Sequence, residues 1–313
     1  MEPLAQMPTS AVVGKLPHRR ERFARGPFFF VVPETPEGTL SARALLFSPP
    51  MRATFVLPTL NEAPSIGHVL RLFRSAALEA NETIFRNQPL EWEVLVVDGA
   101  SEDGTAAIAE AEGARVLIER RPGYGRAYKT GFAAARGEVL ATSDGDATYP
   151  VETIPGLVKK LLDENLDFLT GNRFAYLDRK SMTTEHRIGN QVLNLFVGLA
   201  YHRYMKDVPG HALEDSQSGF WVLRREALAK FHLTQDGMAF SEELKLEAIL
   251  RGVRFVEVPI QYRERWGPPK LSSWRDGSRN LLFLARKRFA LAREARNAAL
   301  VTLANGKKDR AAP

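Results

Sequence analysis

The 313-residue chain contains no cysteine. Disulfides and thiolate metal sites are thereby excluded. Its six histidines are scattered without the spacing of a metal-binding set. Any metal would therefore rest on carboxylates, which favour a hard ion such as Mg²⁺ or Mn²⁺. No run approaches the ~18 consecutive apolar residues of a membrane-spanning helix. The opening residues lack the pattern of a signal peptide as well: the apolar run Phe28 to Val32 is short and leads into Pro33-Glu34-Thr35-Pro36-Glu37. These absences lead us to expect a cytoplasmic chain, peripheral at most on the cytoplasmic face of a membrane.

What is present is ordinary globular composition with a basic balance. The net charge of +6 implies attraction to nucleotides, phosphates, acidic membranes or nucleic acid without choosing among them. Residues 1–50 stand apart through Pro and Gly breakers and the basic patch His18-Arg19-Arg20-Glu21-Arg22. They read as an N-terminal extension in which Phe28 to Val32 is a candidate edge strand.

From residue 53 a regular alternation begins. Ala53–Leu57, Glu93–Val97, Ala114–Ile118 and Glu138–Thr142 read as strands. Residues 64–79, 102–112 and 126–136 read as the helices between them, two of these ending at Gly113 and Gly137. Such βαβ alternation predicts an α/β fold with a mainly parallel sheet flanked by helices. Further on, helices are expected over 183–203, over 241–250 with Ser241 as N-cap, and over 275–297. Extended segments are expected at Phe220–Leu223 and Val253–Tyr262. The helix over 275–297 is basic and amphipathic. The expected division is an extension (1–50), a catalytic domain (51–273) and a basic amphipathic helix with a tail (274–313).

In parallel sheets ligands bind beyond the carboxyl ends of the strands. Three acid-containing turns fall there: Pro58-Thr59-Leu60-Asn61-Glu62, Asp98-Gly99-Ala100-Ser101 and Asp144-Gly145-Asp146. Two carboxylates bracketing a glycine after a buried strand can hold a divalent cation that also bridges a diphosphate; a plain surface turn uses the same residues. Asp98 can accept hydrogen bonds from a base or ribose, or serve its own turn. In Arg120–Lys129, glycines before a helix suit a phosphate, although the spacing is not that of a Walker loop. The turn Glu214-Asp215-Ser216-Gln217-Ser218-Gly219-Phe220 and the cationic loop Arg263–Lys270 are each a candidate for the reacting groups or a solvated connection.

Taken in order, Leu57–Glu62, Val97–Thr105, Gly123–Gly131, Asp144–Asp146, Gly171-Asn172-Arg173 and Asp215–Phe220 resemble family 2 glycosyltransferases. Within these the likeness is to the dolichyl-phosphate mannose/glucose synthase group, over about residues 52–273. The resemblance implies a GT-A fold and an inverting hexosyltransferase moving a sugar from a UDP- or GDP-linked donor to a polyprenyl phosphate. It implies that Pro58, Asn61, Glu62, Asp98, Gly125 and Lys129 serve the donor and that Asp144 and Asp146 hold Mg²⁺ or Mn²⁺. Arg173, Arg263 and Lys270 would meet the phosphates, and Asp215 and Gln217, with Glu242 and Glu243 nearby, would lie on the acceptor side. Departures are Gly99 where the family often has a second acid, Thr148 where the mannose synthases often carry Gln, and Pro269-Lys270-Leu271 in place of Ser-Lys-Leu. Gln261 and Arg265-Trp266 are one residue too far apart for the Gln-x-x-Arg-Trp of processive synthases.

A phosphate acceptor needs little help from a base, because its second pKa is about 6. A hydroxyl acceptor would require a carboxylate, with Asp215 the first suspect. The alternatives are a soluble, small-molecule or protein acceptor, or an inactive nucleotide-sugar-binding scaffold. A nucleotidyltransferase would begin with a Gly-rich loop after the first strand, where Pro58 to Glu62 stands. A nucleic-acid partner is not expected, since the acid pairs oppose it. The basic C-terminal helix is a candidate for peripheral membrane contact through Arg275, Arg279, Arg286, Lys287, Arg288 and Arg293, or for packing or a homodimer contact.

Overall fold

The computed structural model describes residues 50–176, 184–206, 213–267 and 273–309. The candidate edge strand at Phe28 to Val32, together with Lys270, lies outside them.

The alternation of the first half is realised as β1 (Arg52–Thr59), α1 (Ala63–Glu82), β2 (Glu91–Asp98), α2 (Thr105–Ala111), β3 (Arg115–Ile118), α3 (Tyr124–Ala134) and β4 (Val139–Thr142). The second half adds α4 (Ile154–Asp163), β5 (Phe168–Asn172), α5 (Thr184–Tyr201), β6 (Trp221–Arg224), α6 (Arg225–Leu228), α7 (Phe240–Leu250), β7 (Phe255–Pro259) and α8 (Ser273–Asp309).

The seven strands form one sheet in the order β3-β2-β1-β4-β6-β5-β7. β1 to β4 are mutually parallel, as are β5 and β7; β6 alone runs antiparallel to both its neighbours. Alternate residues of β1 serve opposite faces, as strand geometry requires. Phe55 and Leu57 join a core with Ile66, Leu70 and Phe73 of α1. Val56 joins the other core with Tyr128 of α3, Trp221 and Phe240. With both faces covered by helices, the central strands β1, β4, β5 and β6 are buried almost throughout, which accounts for the near-continuous apolar runs there.

The register opens the sheet where function is expected. β4 pairs with β1 only from Ala53 to Val56, whereas β2 follows β1 to Thr59. Beyond Val56 the β4 side of β1 is free, so Pro58, which has no N–H to give a ladder, is tolerated in a central strand. The chain order also reverses between β1 and β4, and such a switch point is where an open α/β sheet forms a crevice.

Three local expectations are corrected. α2 begins at Thr105 rather than residue 102, because Ser101 and Asp103 are engaged in turn hydrogen bonds. Ser241 is not the N-cap of α7: the helix starts at Phe240, and the buried Ser241 hydroxyl has no hydrogen-bond partner among the described residues. α8 (Ser273–Asp309) extends over 37 residues, beginning close to the expected start but running well past residue 297. Among the described residues, no helix is long and apolar enough to cross a membrane.

Candidate active site

A cavity of about 980 Å³ is lined by residues at or beyond the ends of the first four strands: Pro58, Leu60 and Glu62 at and after the end of β1, Gly99 after β2, Glu119 to Tyr124 after β3, and Asp144 to Asp146 after β4. Its other walls come from the 234–243 segment, from Arg265, and from Arg279, Asn280, Arg286 and Lys287 of α8.

Asp144-Gly145-Asp146 sits at the mouth of the crevice because its glycine lets the turn close on β1. A Cβ at Gly145 would stand 3.0 Å from Thr59 Cγ2, and the Gly145 carbonyl accepts a hydrogen bond from the Ser65 hydroxyl at 2.7 Å. Asp146 is buried. Its Oδ1 accepts from the Thr148 backbone N–H (3.1 Å) and hydroxyl (2.6 Å), and its Oδ2 accepts from Arg265 Nη1 at 2.9 Å. Thr148 thus aims Asp146. Arg265 also donates through Nη2 to Glu62 Oε1 at 2.6 Å, so one guanidinium bridges the first and fourth strand ends.

Among the described residues, the Asp144 carboxylate receives only the Tyr124 hydroxyl, at 3.3 Å. Burial and then the charge of Asp146 push its carboxyl up to about 7, with Arg173, Arg265 and the Tyr124 hydroxyl pulling the other way. A half-buried and a buried carboxylate side by side, facing an open cavity, are what a hard cation would relieve. Among the described residues no set of three or more His, Asp or Glu forms a metal cluster. A cation on Asp144 and Asp146 would therefore keep most of its coordination positions for other oxygens. The donor set fits Mg²⁺ or Mn²⁺ on chemistry alone.

The remaining expected residues divide. Pro58 and Glu62 line the cavity. Asp98 is buried beside it, and its carboxylate accepts from the Thr59 hydroxyl (3.0 Å), the Ser101 N–H (2.7 Å) and the Ser101 hydroxyl (2.6 Å). Asn61, at φ 53°, ties the β1 and β2 turns together by accepting the Glu102 N–H at 2.9 Å and donating its own N–H to Ser101 at 2.7 Å.

Of the Arg120–Lys129 segment, Arg120 to Tyr124 line the cavity, whereas Gly125 and Lys129 are engaged with the 235–240 segment. A Cβ at Gly125 would lie 2.6 Å from the Gln235 carbonyl and 2.6 Å from Phe240 Cβ, so this glycine permits packing of α3 against the 235–240 segment. The Arg126 N–H at the start of α3 donates to the Asp236 carbonyl at 3.1 Å, and Lys129 pairs with the Asp236 carboxylate.

Arg173 and Asp215 form a buried bidentate pair, Nε–Oδ2 2.8 Å and Nη2–Oδ1 2.8 Å. Asp215 also accepts from the N–H groups of Arg173, Gln217 and Ser218. Burial alone would raise its carboxyl, but Arg173 outweighs that and holds it below the ordinary range. Neither residue lines the cavity. Gln217 donates to Glu242 and accepts from Asn280 Nδ2 of α8 at 2.9 Å. Arg263 is turned away onto Glu152.

With this geometry in view, the comparisons can be set beside it. The family model described as Glycosyl transferase family 2 matches residues 54–231, more than half of the chain. The chain belongs to that family. The family 2 chain is 33% identical to the dolichyl-phosphate hexose transferase of Haloferax volcanii over 71% of its own length and 88% of that protein. It is 32% identical to the low-salt glycan biosynthesis hexosyltransferase Agl6 of the same organism over 73% of its length, and there spans only about half of the relative, 52%. Its fold matches glucosyl-3-phosphoglycerate synthase from Mycobacterium tuberculosis, solved with Mn²⁺, UDP and phosphoglyceric acid, at TM-score 0.58 and 22% identity over 76% of this chain and 78% of that one. The architecture is GT-A.

Two features of the family 2 site escaped sequence reading. Arg265, rather than Arg263, reaches Asp146. The backbone decides between them: Arg263 N–H donates to the Thr148 carbonyl (2.8 Å) and Trp266 N–H to the Asp146 carbonyl (3.1 Å). The basic face of α8 turns partly inward. Arg279, Arg286 and Lys287 line the cavity, Lys287 pairs with Glu247 (2.6 Å), and Arg288 donates to the Ala200 carbonyl (2.8 Å). The helical periodicity of α8 signalled amphipathicity but not what would cover it.

Proposed function

We propose that this chain is an inverting hexosyltransferase that moves a sugar from a UDP- or GDP-linked donor to a polyprenyl phosphate. The observation that carries this reading is the absence of a disengaged carboxylate base, among the described residues, at the cavity outside the Asp144/Asp146 pair. Glu62 is held by Arg265, Glu119 by Arg121 and Thr130, and Glu243 by the Thr234 hydroxyl and the Thr234 and Gln235 N–H groups. Asp215, the expected base for a hydroxyl acceptor, is saturated by five donors and does not line the cavity. A phosphate monoester needs no such base, since it is ionised near neutral pH.

The cations suit the same chemistry. Arg120, Arg279 and Arg286 line the cavity without an ion pair among the described residues. They are available to an acceptor phosphate, while Arg265 stands beside the acid pair where a donor diphosphate would lie. Asp144 and Asp146 would hold the divalent cation, which when bound supplies charge neutralisation for the departing diphosphate. Arg265 adds a fixed positive charge at that place, and Thr148 keeps Asp146 aimed. Catalysis then rests on positioning and charge stabilisation.

The test is to incubate the chain with UDP- and GDP-hexoses, Mn²⁺ or Mg²⁺ and polyprenyl phosphate, and to look for glycosyl polyprenyl phosphate by mass spectrometry of the organic extract. Its formation, with inverted anomeric configuration, supports the reading. Turnover only with a soluble or protein acceptor would keep a glycosyltransferase and discard the lipid. Donor binding without turnover would leave an inactive scaffold.

A further inference from the structure

Helix α5 turns apolar side chains in two directions. Leu193, Val197 and Tyr201 are buried, and the Tyr201 hydroxyl donates to the Leu284 carbonyl of α8 at 2.7 Å. Ile188, Val192, Leu195 and Leu199 are instead 56%, 51%, 63% and 70% exposed. At 100° per residue these four fall within an arc of about 60°, one straight row about 16 Å long on the helix surface. No charged residue occurs from Ile188 to Tyr201. Single exposed leucines are unremarkable, but an aligned row of four without a charge among them marks a surface that meets something apolar.

The charge around the row selects what it meets. Arg187 precedes it, and His202, Arg203 and Lys206 follow, all exposed; among the described residues, the exposed acids nearest in sequence are Glu185 and Glu214. A second copy docking through the same row by a two-fold axis would bring these basic ends against one another, whether the helices ran parallel or antiparallel. An anionic lipid surface accepts both parts at once: the row enters the acyl boundary and the basic ends stay among the headgroups.

We infer that α5 docks this chain in the plane of an anionic membrane surface through Ile188, Val192, Leu195 and Leu199. The basic face of α8, a candidate for this in the sequence, is partly spent on the cavity, Glu247 and Ala200. Because α8 both packs on α5 and lines the cavity, docking through α5 couples the membrane to the wall that holds Arg279 and Arg286. The inference rests on the polyprenyl-phosphate reading for its purpose, but its test does not need transfer activity.

The full chain is floated with phosphatidylcholine vesicles and with vesicles carrying about 30% phosphatidylglycerol. The expected result is co-flotation with the anionic vesicles, reduced about tenfold or more in Leu195→Glu/Leu199→Glu, with unchanged thermal unfolding and unchanged transfer to a short-chain, water-soluble isoprenyl phosphate. Wild-type protein that stays at the bottom of the gradient overturns the inference, as does a double variant that floats like wild type. A wild-type dimer by light scattering that becomes monomeric in the variant, with no vesicle binding, assigns the row to a second copy and overturns it too. Flotation that meets expectation while no polyprenyl phosphate is glycosylated supports the surface and removes the acceptor instead.

Discussion

The Arg265 guanidinium lies 2.9 Å from Asp146 Oδ2 and 2.6 Å from Glu62 Oε1, a single cation joining the acid pair after β4 to the turn after β1. It occupies the ground that a divalent ion and a diphosphate would share. Arg265→Gln is therefore expected to lower kcat/KM for sugar transfer about 10²-fold, the usual scale for removing one preorganised donor from a developing charge. In the absence of nucleotide the same variant should bind Mn²⁺ more tightly, because Asp146 is released. Steady-state kinetics and calorimetric Mn²⁺ titration check the two halves; weaker Mn²⁺ binding would contradict the arrangement.

Gly219 and Tyr124 are linked sterically. A Cβ at Gly219 would overlap the Tyr124 hydroxyl and stand 3.4 Å from Asp144 Oδ1. Gly219→Ala should cost about 1–3 kcal/mol in stability by overpacking. Tyr124→Phe removes the clashing atom, so the double variant should recover much of that loss in chemical denaturation. Additive losses in the double variant would show that the clash lies elsewhere.

Glu242 provides a pH test of the buried network behind Gln217. Burial pushes its carboxyl up to about 8 from an ordinary value of 4.5, against the opposing effects of Gln217 and Lys245. A carboxyl raised by folding holds its proton more tightly in the folded state. Stability from this group is thus fully present below about 4.5 and declines as pH rises towards 8. Lys245 is lowered by burial to about 8, and its effect appears only above that, where stability rises with pH. Between pH 5 and 8, Glu242→Gln should flatten the decline and unfold at a higher temperature than wild type at pH 8, with a smaller gap at pH 5. Parallel melting curves for the two proteins across this range would refute the assignment.

Asp215 is expected to act through structure. Asp215→Asn weakens a buried ion pair with Arg173, and breaking such a pair typically costs about 3–5 kcal/mol. The variant should show a large loss in denaturant midpoint, and its folded fraction should keep the wild-type pH–rate profile. An intact fold with the basic limb of activity abolished would instead make Asp215 the base.

Much of this was legible in the sequence, and the limits have physical causes. The turns after β1, β2 and β4 could be placed because strands buried on both faces write themselves as apolar runs ended by polar residues. β5 could not: it has five residues, of which only Phe168 and Leu169 are large and apolar, and its Gly171 is needed where a Cβ would lie 2.5 Å from Ile260 Cδ1. Its neighbour β6 runs antiparallel, which no local pattern announces. The choice between Arg263 and Arg265 depended on two backbone hydrogen bonds to the Asp146–Thr148 turn, a contact more than a hundred residues away in the chain. The packing of Gly125 and the pairing of Lys129 with Asp236 were not legible, because a glycine before a helix suits an anion and a close helix contact equally well.

The central claim is that the acid pair at the end of β4 serves a nucleotide-sugar donor whose hexose passes to a polyprenyl phosphate. The most direct measurement is the mass-spectrometric yield of glycosyl polyprenyl phosphate from wild type and Asp146→Asn side by side, each with and without Mn²⁺. The account predicts product from the metal-supplemented wild type only, with the variant reduced at least about 10³-fold while still folded. Equal product from the variant, or product from wild type only when the acceptor is a hydroxyl compound, would contradict it.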